Sequence, residues 1–403
     1  MLEESEARRR LIEATPLGTI CQVSLLEALG ASAAETLRAT VPLPGFDNSQ
    51  MDGYALRSAE AMPGNVLRVV GQQFAGREDG SFQVESGTAV RVFTGAPLPR
   101  GADAVIMQED VELCGDGIRL RVGAMPDEFV RRRGADLCEG QFILQEGDVL
   151  TPARLALLAS QGCSGVCVRP APRAVVVTTG DELIEPGAGA GLLPGQIFNS
   201  NGVMLASGLR SFGVSQVRAL HAPDDPVQMR AVLEMALEEA DFCVIAGGVS
   251  VGEKDYVKAV LADLGARGGF WRVRVKPGKP FFFAELEGKV VFGLPGNPVS
   301  SWVTFLLFVV SALQRYTGRT IDPSTPSLPL VRAFLEAELR NEGDRPHYVR
   351  GVWSAKDGAF RSVGLQQSHA LYGLSRANAL VRVGAGQRLE AGLAVEAYLM
   401  GSA

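Results

Sequence analysis

The alternation of strands and helices between residues 170 and 320 places the strongest limit on how this chain can fold. The segment Ala174 to Thr178, AVVVT, is an unbroken apolar and β-branched run, which is typical of a strand buried on both faces. Further strands are predicted at Gln216 to Leu220, 242 to 246 and Lys289 to Leu294, and helices near Asn201 to Phe212, from Pro226, at Glu253 to Leu264 and from Pro298 up to Gly318. Repeated strand–helix units predict a three-layer α/β domain with a largely parallel sheet.

Polar loops follow three of these strands: TTGDEL (Thr178 to Leu183), AGGVSVGEKDY (Ala246 to Tyr256) and GLPGNPVSS (Gly293 to Ser301). Each loop alone can be explained as a turn or a helix cap. Loops at the carboxyl ends of parallel strands surround the ligand crevice of an open sheet, so the three are expected to share a site. Glycine loops bind phosphate through bare backbone amides, and carboxylates without histidine favour Mg²⁺ held partly by substrate phosphates.

The segment VKPGKP, Val275 to Pro280, adds positive charge to this region. Lys276 and Lys279 flank a Pro-Gly turn, and each ammonium group contributes about 4 kcal/mol to binding a dianion at about 4 Å in an effective dielectric near 20, before desolvation. The alternative is a pair of surface lysines on a hairpin. The residues therefore indicate a phosphorylated ligand, a divalent cation and a second anion, and a transfer reaction that depends on positioning and charge neutralisation.

The rest of the chain predicts three further domains. Residues 1–46 and 135–169 are expected to form one discontinuous, mainly helical domain, with residues 47–134, rich in short alternating strands, inserted into it as a small β domain. The α/β domain is expected to span residues 170–322. After the proline-rich segment DPSTPSLP, residues 323–403 are expected to form a small β domain, either a barrel or a sandwich.

Composition and charge exclude several classes of protein. With 46% hydrophobic and 21% charged residues and a net charge of −6, the chain resembles soluble globular proteins and does not favour nucleic acid or a membrane surface. The charged N-terminus is unlike a signal peptide, and the longest apolar run, Trp302 to Leu313, is too short to span a bilayer, so a cytoplasmic protein is expected. The six scattered cysteines are expected to be buried and reduced, and three histidines do not favour a zinc site.

Seven segments, taken in order, resemble the MoeA family of molybdopterin molybdenumtransferases, to which the E domain of gephyrin also belongs. They are FDNSQMDGYAL, FTGAPLPRGADAVIMQED, RRRGADLCEGQFILQEGDVLTP, TTGDEL, AGGVSVGEKDY, KPGKPF and GLPGNPVSS. The resemblance covers nearly the whole chain. It implies an elongated, four-domain homodimer with a C-terminal β barrel, which uses Mg²⁺ to insert molybdate into adenylyl-molybdopterin, releasing AMP and forming molybdenum cofactor. Other implied partners are the adenylyltransferase of the same pathway and recipient molybdoenzymes.

The resemblance also implies roles for individual residues. Catalytic roles fall to Asp52, Thr94, Glu182, Asp224, Asp255, Lys276 and Lys279, with Glu182 and Asp255 as metal ligands. Substrate-binding roles fall to Gly247, Gly248, Ser250, Pro295, Gly296, Asn297, Pro298, Ser300, Arg350 and Ser368. Gly247, Gly248 and Ser250 are expected to hold phosphates, and Lys276, Lys279 and Ser300 to receive molybdate. Asp52 and Thr94 are expected to reach the site of the other subunit.

Two alternative functions belong to other classes. A MogA-like molybdopterin adenylyltransferase shares the α/β unit, but that class resembles a GGTG loop, whereas this chain has Gly247-Gly248-Val249-Ser250. A gephyrin-like scaffold clusters receptors. Because the chain begins at the E-type region without a fused adenylyltransferase domain or long linker, scaffolding is not expected. Adenylylation with ATP and peptide binding are the assays that distinguish these alternatives.

Overall fold

The computed structural model describes residues 1–76, 82–187, 191–249 and 256–401. These divide into two compact units. The first unit comprises Met1–Glu35, Glu146–Pro152 and Gly165–Ala403, and the second comprises Thr36–Gln145 and Ala153–Ser164. The finer division into four domains with the boundaries predicted above stays a prediction.

A six-stranded sheet organises the first unit. Its strands are β1 (Ala174–Thr179), β2 (Val217–Ala222), β3 (Phe242–Ala246), β4 (Arg267–Trp271), β5 (Phe282–Leu286) and β6 (Lys289–Leu294), in the order β2-β1-β3-β6-β5-β4. The first four strands in this order are parallel, as predicted. Strands β5 and β4 pair antiparallel at one edge and were not predicted. Every residue of β1 and β3 is buried, which agrees with their unbroken apolar sequences.

Helices α3 to α6 cover the two faces of this sheet. The helices of the chain are α1 (Glu4–Ala14), α2 (Pro152–Ser160, mostly in the second unit), α3 (Ser200–Ser211), α4 (Pro226–Glu239), α5 (Val257–Asp263), α6 (Pro298–Tyr316) and α7 (Leu371–Ser375). One face packs Val176 and Val244 against α3 and α6, and the other packs Val175 and Cys243 against α4 and α5. The three-layer α/β arrangement is confirmed. The predicted start of α5 at Glu253 lies outside the described residues.

Helix α6 forms much of the core beneath the candidate site. By length and composition it is the one helix in the described ranges that could cross a membrane, but 78% of its most apolar window is buried inside the protein. Such burial is typical of a core helix. Its middle turn, Phe305–Val309, is a π-helix, and the buried Arg8 donates through Nε to the Leu307 carbonyl at 3.3 Å.

A closed barrel forms the C-terminal part of the first unit, in agreement with the expected β domain. Its strands are β7 (Leu330–Leu335), β8 (His347–Trp353), β9 (Ala359–Ser362), β10 (Ala379–Val383) and β11 (Ala394–Leu399), ordered β7-β9-β8-β10-β11. Smaller ladders in this unit are Cys21–Ser24 with Gly165–Arg169 and Ser32–Ala33, Leu183–Ile184 with Ile197–Phe198, and Leu339–Arg340 with Arg388–Leu389.

The second unit is mainly β structure, as predicted for the inserted segment. Its six-stranded sheet contains, in spatial order, Ala104–Met107, Gly53–Leu56, Thr88–Val92, Val66–Gln73, Gly117–Leu120 and Val111–Cys114. Two short ladders pair Asn48–Ser49 with Val130–Arg131 and Leu37–Arg38 with Phe142–Leu144, and single 3₁₀ turns occur at Ser58–Glu60 and Gln108–Asp110. Alternate residues of the sheet form apolar clusters on its two faces.

Two local predictions were wrong. As part of the mainly helical domain, residues 1 to about 40 were expected to be helical from their apolar spacing, but α1 ends at Ala14 and a strand follows at Cys21–Ser24. Pro16 and Gly18 interrupt the segment, and both residues break helices. The cysteines were expected to be buried. All six are free thiols, but only Cys243 is buried, whereas Cys114 and Cys138 are exposed.

Candidate functional site

The three polar loops converge at the carboxyl ends of neighbouring parallel strands. They leave β1, β3 and β6, which lie side by side in the sheet. The Gly247 amide donates to the Leu294 carbonyl at 3.1 Å, and a Cβ on Gly296 would lie 3.8 Å from the Gly247 Cα. The loops therefore share one edge of the sheet, where ligands of open α/β folds bind.

The loop after β3 is shaped by two glycines in the left-handed region. Gly247 has a φ of 100° and Gly248 a φ of 62°. A Cβ would lie 2.7 Å from the Thr179 Oγ1 at Gly247 and 2.7 Å from a Val257 methyl carbon at Gly248. Both positions therefore require glycine. The absence of side chains lets an anion approach the loop backbone closely, although the Gly247 amide itself is bonded to the Leu294 carbonyl. Two other predicted residues of this loop, Ser250 and Asp255, lie outside the described residues.

Carboxylates from two other loops lie at the same edge. The Asp224 amide, after β2, donates to Asp181 Oδ1 at 3.0 Å, which ties the predicted residue Asp224 to the loop after β1. Glu182 is exposed, and its carboxylate folds back over Gly180, 2.5 Å from the position that a Cβ would take there. Oxygen donors of this kind fit Mg²⁺. In the described ranges, no group of three His, Cys, Asp or Glu side chains is arranged to hold a metal ion.

Two buried asparagines that sequence reasoning missed connect these loops. Asn199 accepts a hydrogen bond from the Gly202 amide at the start of α3 and donates to Thr178 Oγ1 at 2.8 Å. Asn201 donates to the Gly296 carbonyl at 2.7 Å. Their signal in the sequence was the segment FNSNG, which puts two asparagines at the start of a helix. Only the fold shows that this helix start lies beside the polar loops.

The loop after β6 joins the sheet edge to the barrel. Asn297 and Pro298 begin α6 as predicted, but the Asn297 side chain does not cap the helix. Its Nδ2 donates to Ser368 Oγ at 3.1 Å, and the Val299 amide donates to the Ser368 carbonyl at 3.0 Å. Pro295 and Ser300 are buried beside it. The barrel residue Ser368 is thus brought to the predicted substrate-binding loop.

The lysine turn lies between α6 and the barrel. A Cβ on Gly278 would lie 2.4 Å from a methyl carbon of Thr304 and 3.7 Å from the Ser300 carbonyl oxygen. On the other side, the Tyr348 amide donates to the Lys276 carbonyl at 2.8 Å. Pro277 and Gly278 are buried, whereas the side chains of Lys276 and Lys279 are exposed. The buried turn therefore fixes the positions from which two mobile ammonium groups extend.

Arg350 places a buried cation in the same region. It is fully buried on β8, and its Nη2 donates to the carbonyls of Leu365 and Gln367, the latter at 3.3 Å. Its Nε and Nη1 are buried and have no hydrogen-bond partner among the described residues. Burial lowers the pKa of the guanidinium, but arginine stays protonated. Two unpaired donors on a buried cation are an expensive arrangement that an anion would satisfy.

Asp52 and Thr94, which lie in the second unit, are brought together there. Asp52 Oδ1 accepts from both the amide and the hydroxyl of Thr94, each at 2.8 Å. These two bonds lower the pKa of the Asp52 carboxyl, with the backbone amide contributing most. Asp52 is therefore an ionised, exposed group whose orientation Thr94 fixes.

Comparison with known proteins finds matches to MoeA family models along nearly the whole chain. Residues 2–162 match the model of the MoeA N-terminal region (domain I and II), residues 175–315 that of a probable molybdopterin binding domain, and residues 332–400 that of the MoeA C-terminal region (domain IV). A molybdopterin molybdenumtransferase of Haemophilus influenzae is 36% identical over 388 residues, covering 94% of each chain. The chain belongs to the MoeA family.

Further MoeA relatives support this assignment. Molybdopterin molybdenumtransferase 2 of Mycobacterium tuberculosis is 36% identical over 385 residues, which cover 91% of this chain and 93% of the relative. The crystal structure of a molybdopterin biosynthesis MoeA protein from Pyrococcus horikoshii has a TM-score of 0.84 and 28% identity, covering 99% of this chain and all of the other. The MoeA fold therefore extends over both units and the barrel.

Proposed function

We propose that this protein is a molybdopterin molybdenumtransferase, which inserts molybdate into adenylyl-molybdopterin and releases AMP. The observation that carries the proposal is the meeting of two kinds of anion site at one sheet edge. Gly247 and Gly248 let an anion approach the backbone of the glycine loop closely, and Lys276, Lys279 and the unpaired donors of Arg350 supply positive charge. A substrate with phosphates and a second, tetrahedral anion matches this pairing.

The residues then divide into two groups. Gly247, Gly248 and the segment Pro295 to Pro298, with Ser250 from outside the described residues, bind the phosphates of the adenylylated pterin. Lys276, Lys279, Ser300, Arg350 and Ser368 bind molybdate. Holding both anions close together lowers the entropic cost of their reaction, and fixed cations stabilise charge that moves to the leaving AMP. The reaction needs no protein nucleophile.

Mg²⁺ is proposed as the metal, with Glu182 and Asp255 as its protein ligands and Asp224 within the same acidic region. The exposed carboxylate of Glu182 has the oxygen chemistry that Mg²⁺ prefers. When bound, the ion would offset the charge of the substrate phosphates. The chain's own contribution is to hold Glu182 over Gly180 and to anchor Asp224 through Asp181.

A homodimer is also proposed, in which Asp52 and Thr94 of one subunit act in the site of the other. Cytoplasmic location, the adenylyltransferase of the pathway as donor of substrate, and molybdoenzymes as recipients of the cofactor complete the proposal. The MogA-like alternative is less favoured, because the relatives named as molybdenumtransferases align over more than nine-tenths of this chain. The gephyrin-like scaffold remains the alternative that a peptide-binding assay would test.

An AMP-release assay with adenylyl-molybdopterin tests the activity. AMP release is expected to require molybdate and Mg²⁺, and a parallel series with tungstate measures which oxyanion is preferred. Protein that releases no AMP under these conditions, or that instead adenylylates molybdopterin with ATP, would contradict the proposal.

The lysine assignment has a sharper test. Lys279→Ala should raise the KM for molybdate by about tenfold or more and leave the KM for adenylyl-molybdopterin within about twofold, since the lost charge acts on the second anion. Lys356→Ala, in an exposed turn of the barrel, is the matched control and should change neither constant. Equal losses for both substrates in Lys279→Ala would argue against a separate oxyanion site.

A further inference from the structure

Two phenylalanines form a partly exposed, stacked pair in the second unit, and neither has a role in the reaction proposed so far. The rings of Phe74 and Phe93 lie 4.7 Å apart between centroids, with an angle of 8° between their planes. Phe93 is half-buried, whereas 43% of the surface of Phe74 is exposed. Because one face of the Phe74 ring lies on Phe93, the exposed part of Phe74 is turned away from its partner. The pair therefore offers a flat apolar surface to a ligand.

The strand register places this pair in one row with Asp52. In the sheet of the second unit, the strand that begins after Asp52 lies beside the strand that ends before Phe93, which in turn lies beside the strand that ends before Phe74. The three residues therefore follow one another along one end of the sheet. The ring separation of 4.7 Å equals the spacing between strands, so the stack runs across the strands and away from Asp52. A Cβ on Gly95 would lie 3.9 Å from the Cβ of Ala75, so the loops that follow the two phenylalanines are also in contact.

Side-chain contacts hold the members of this row in place. The Asp52 Oδ1 atom accepts hydrogen bonds from the amide and the hydroxyl of Thr94, the residue that follows Phe93. The guanidinium carbon of Arg91 lies 5.3 Å from the centre of the Phe93 ring, within the range of a cation–π contact. After the larger effect of the Thr94 bonds, the charge of Arg91 also lowers the pKa of the Asp52 carboxyl. A carboxylate, a cation and two stacked rings thus share one end of the sheet.

A planar heterocycle that is joined to a phosphate is the ligand that suits this combination. Nitrogen heterocycles stack on aromatic side chains, and a guanidinium group beside the rings attracts the attached phosphate. A ring on the outer face of Phe74 would lie three strand spacings, about 14 Å, from the position of Asp52 in the row. Adenylyl-molybdopterin carries two heterocycles joined through phosphates, so it can extend along the row from one end to the other.

We infer that Phe74 and Phe93 form a stacking surface for one heterocycle of adenylyl-molybdopterin, either the adenine or the pterin. Phe74 contacts the ring of the substrate, and Phe93 supports Phe74 from behind. The inference rests on the proposed function, in which Asp52 and Thr94 act on the same substrate. It adds two substrate-binding residues and explains why a flat apolar surface is exposed beside that pair.

Phe74→Leu is the variant that tests the stacking surface, because leucine keeps an apolar side chain but lacks a flat face. The KM for adenylyl-molybdopterin should rise about fivefold or more, while the KM for molybdate stays within about twofold, since only the heterocycle loses a contact. Phe74→Tyr keeps the ring and should retain the wild-type KM within about twofold.

Phe142→Leu is the matched control. Phe142 is also an exposed phenylalanine of the second unit, and the Arg38 guanidinium carbon lies 3.6 Å from the centre of its ring. It belongs to the short ladder with Leu37–Arg38 and not to the six-stranded sheet. Phe142→Leu should therefore change neither KM, which separates the loss of a stacking surface from the loss of any exposed aromatic ring.

Binding of AMP and of ribose 5-phosphate, measured by calorimetry, distinguishes the two heterocycles. Ribose 5-phosphate has the sugar and the phosphate of AMP but lacks adenine. If adenine lies on Phe74, Phe74→Leu should weaken AMP about fivefold or more and leave ribose 5-phosphate unchanged. If the KM for adenylyl-molybdopterin rises while the affinity for AMP is unchanged, the ring on Phe74 is the pterin. Wild-type values for both AMP and adenylyl-molybdopterin overturn the inference.

The failure of this inference can be separated from the failure of the proposed function. AMP release by wild-type protein tests the function and does not depend on Phe74. If AMP is released and Phe74→Leu has the wild-type KM for adenylyl-molybdopterin, the function stands and the stacking surface is wrong. Size-exclusion chromatography tests the other role that such a pair could have. A shift of Phe74→Leu from dimer to monomer would make the pair a contact between subunits and would also overturn the inference. Urea unfolding verifies that the variant is folded.

Discussion

At the scale of single residues, two buried arginines differ in their proposed roles: Arg8 is structural, and Arg350 binds a ligand. Arg8 and Arg350 are both fully buried; among the described residues, one guanidinium nitrogen of Arg8 and two of Arg350 have no hydrogen-bond partner. Arg8 donates to the carbonyls of buried Leu307 and half-buried Pro323, whereas Arg350 lies beside the Ser368 loop. Burial alone therefore does not indicate a binding role; the groups around each arginine do.

Substitution of each arginine by methionine is the corresponding test. Arg350→Met should lower kcat/KM for molybdate at least tenfold, equivalent to about 1.4 kcal/mol. Arg8→Met should leave the molybdate KM unchanged. The free energy of unfolding should fall by a similar amount in both variants, about 1–3 kcal/mol, because each loses hydrogen bonds to two carbonyls and each removes a buried charge. A loss of molybdate kcat/KM in Arg8→Met but not in Arg350→Met would show that the anion does not bind at Arg350.

Individual site residues were predicted unevenly from the sequence. Polar residues directly after strands, such as Glu182 and Asn297, were identifiable because strand ends meet at one edge. The partner of Asn297 was not, because Ser368 is 71 residues away in the chain and belongs to a barrel whose packing no local pattern reveals. Asn199 and Asn201 were missed for the same reason: each acquires its environment from another element.

At the scale of elements, Gly247 in the loop after β3 is required both for its positive φ and for the lack of room for a side chain. Gly247 and Gly213 share a positive φ, at 100° and 91°, but a Cβ at Gly247 would meet Thr179 within 3 Å, whereas a Cβ at Gly213 meets nothing within 4 Å. Gly213→Ala should therefore cost only the backbone term of about 1 kcal/mol in unfolding free energy.

Gly247→Ala should cost roughly 2–4 kcal/mol, because steric displacement of Thr179 adds to the backbone strain. It should also reduce AMP release, since the loop amides move from the phosphate site. Urea unfolding of the two variants measures the difference, and the Gly213→Ala protein shows how much activity is lost through stability alone. Similar losses in both variants would mean that space around Gly247 is not limiting.

Elements with strong local patterns were predicted well, and elements formed by tertiary context were not. Strand β6 was predicted with its observed ends, Lys289–Leu294, because a buried strand needs an apolar run. Strand β4, Arg267–Trp271, contains two glycines, which disfavour a strand, whereas β5 has the sequence FFAEL, whose phenylalanines favour one. Strand β5 was therefore missed although its composition suits a strand. Strand β5 pairs with β6 across the two-residue turn Glu287-Gly288, and β4, separated from β5 by the lysine turn, pairs with β5 at the sheet edge. Strand β4 therefore depends on tertiary context.

For the whole molecule, the proposed homodimer predicts that two inactive variants restore activity when they form a mixed dimer. Asp52 should act on substrate bound by Lys276 of the other subunit, so Asp52→Ala and Lys276→Ala homodimers should each be inactive. When the two variants are mixed, dissociated and reassociated, half of the dimers are mixed, and in each of these one site carries both native residues. Turnover should return to about a quarter of the wild-type value.

Action within a single chain gives a different result. Every site of a mixed dimer would then lack either Asp52 or Lys276, and the mixture would remain inactive however completely the subunits exchange. Subunit exchange is verified with two affinity tags, and reassociated wild-type protein is the control for losses during the procedure. Recovered activity would establish that the hydrogen-bonded pair Asp52–Thr94 completes a site on its partner subunit. No recovery despite complete exchange would contradict the dimeric site and leave the Asp52–Thr94 pair to act in its own chain.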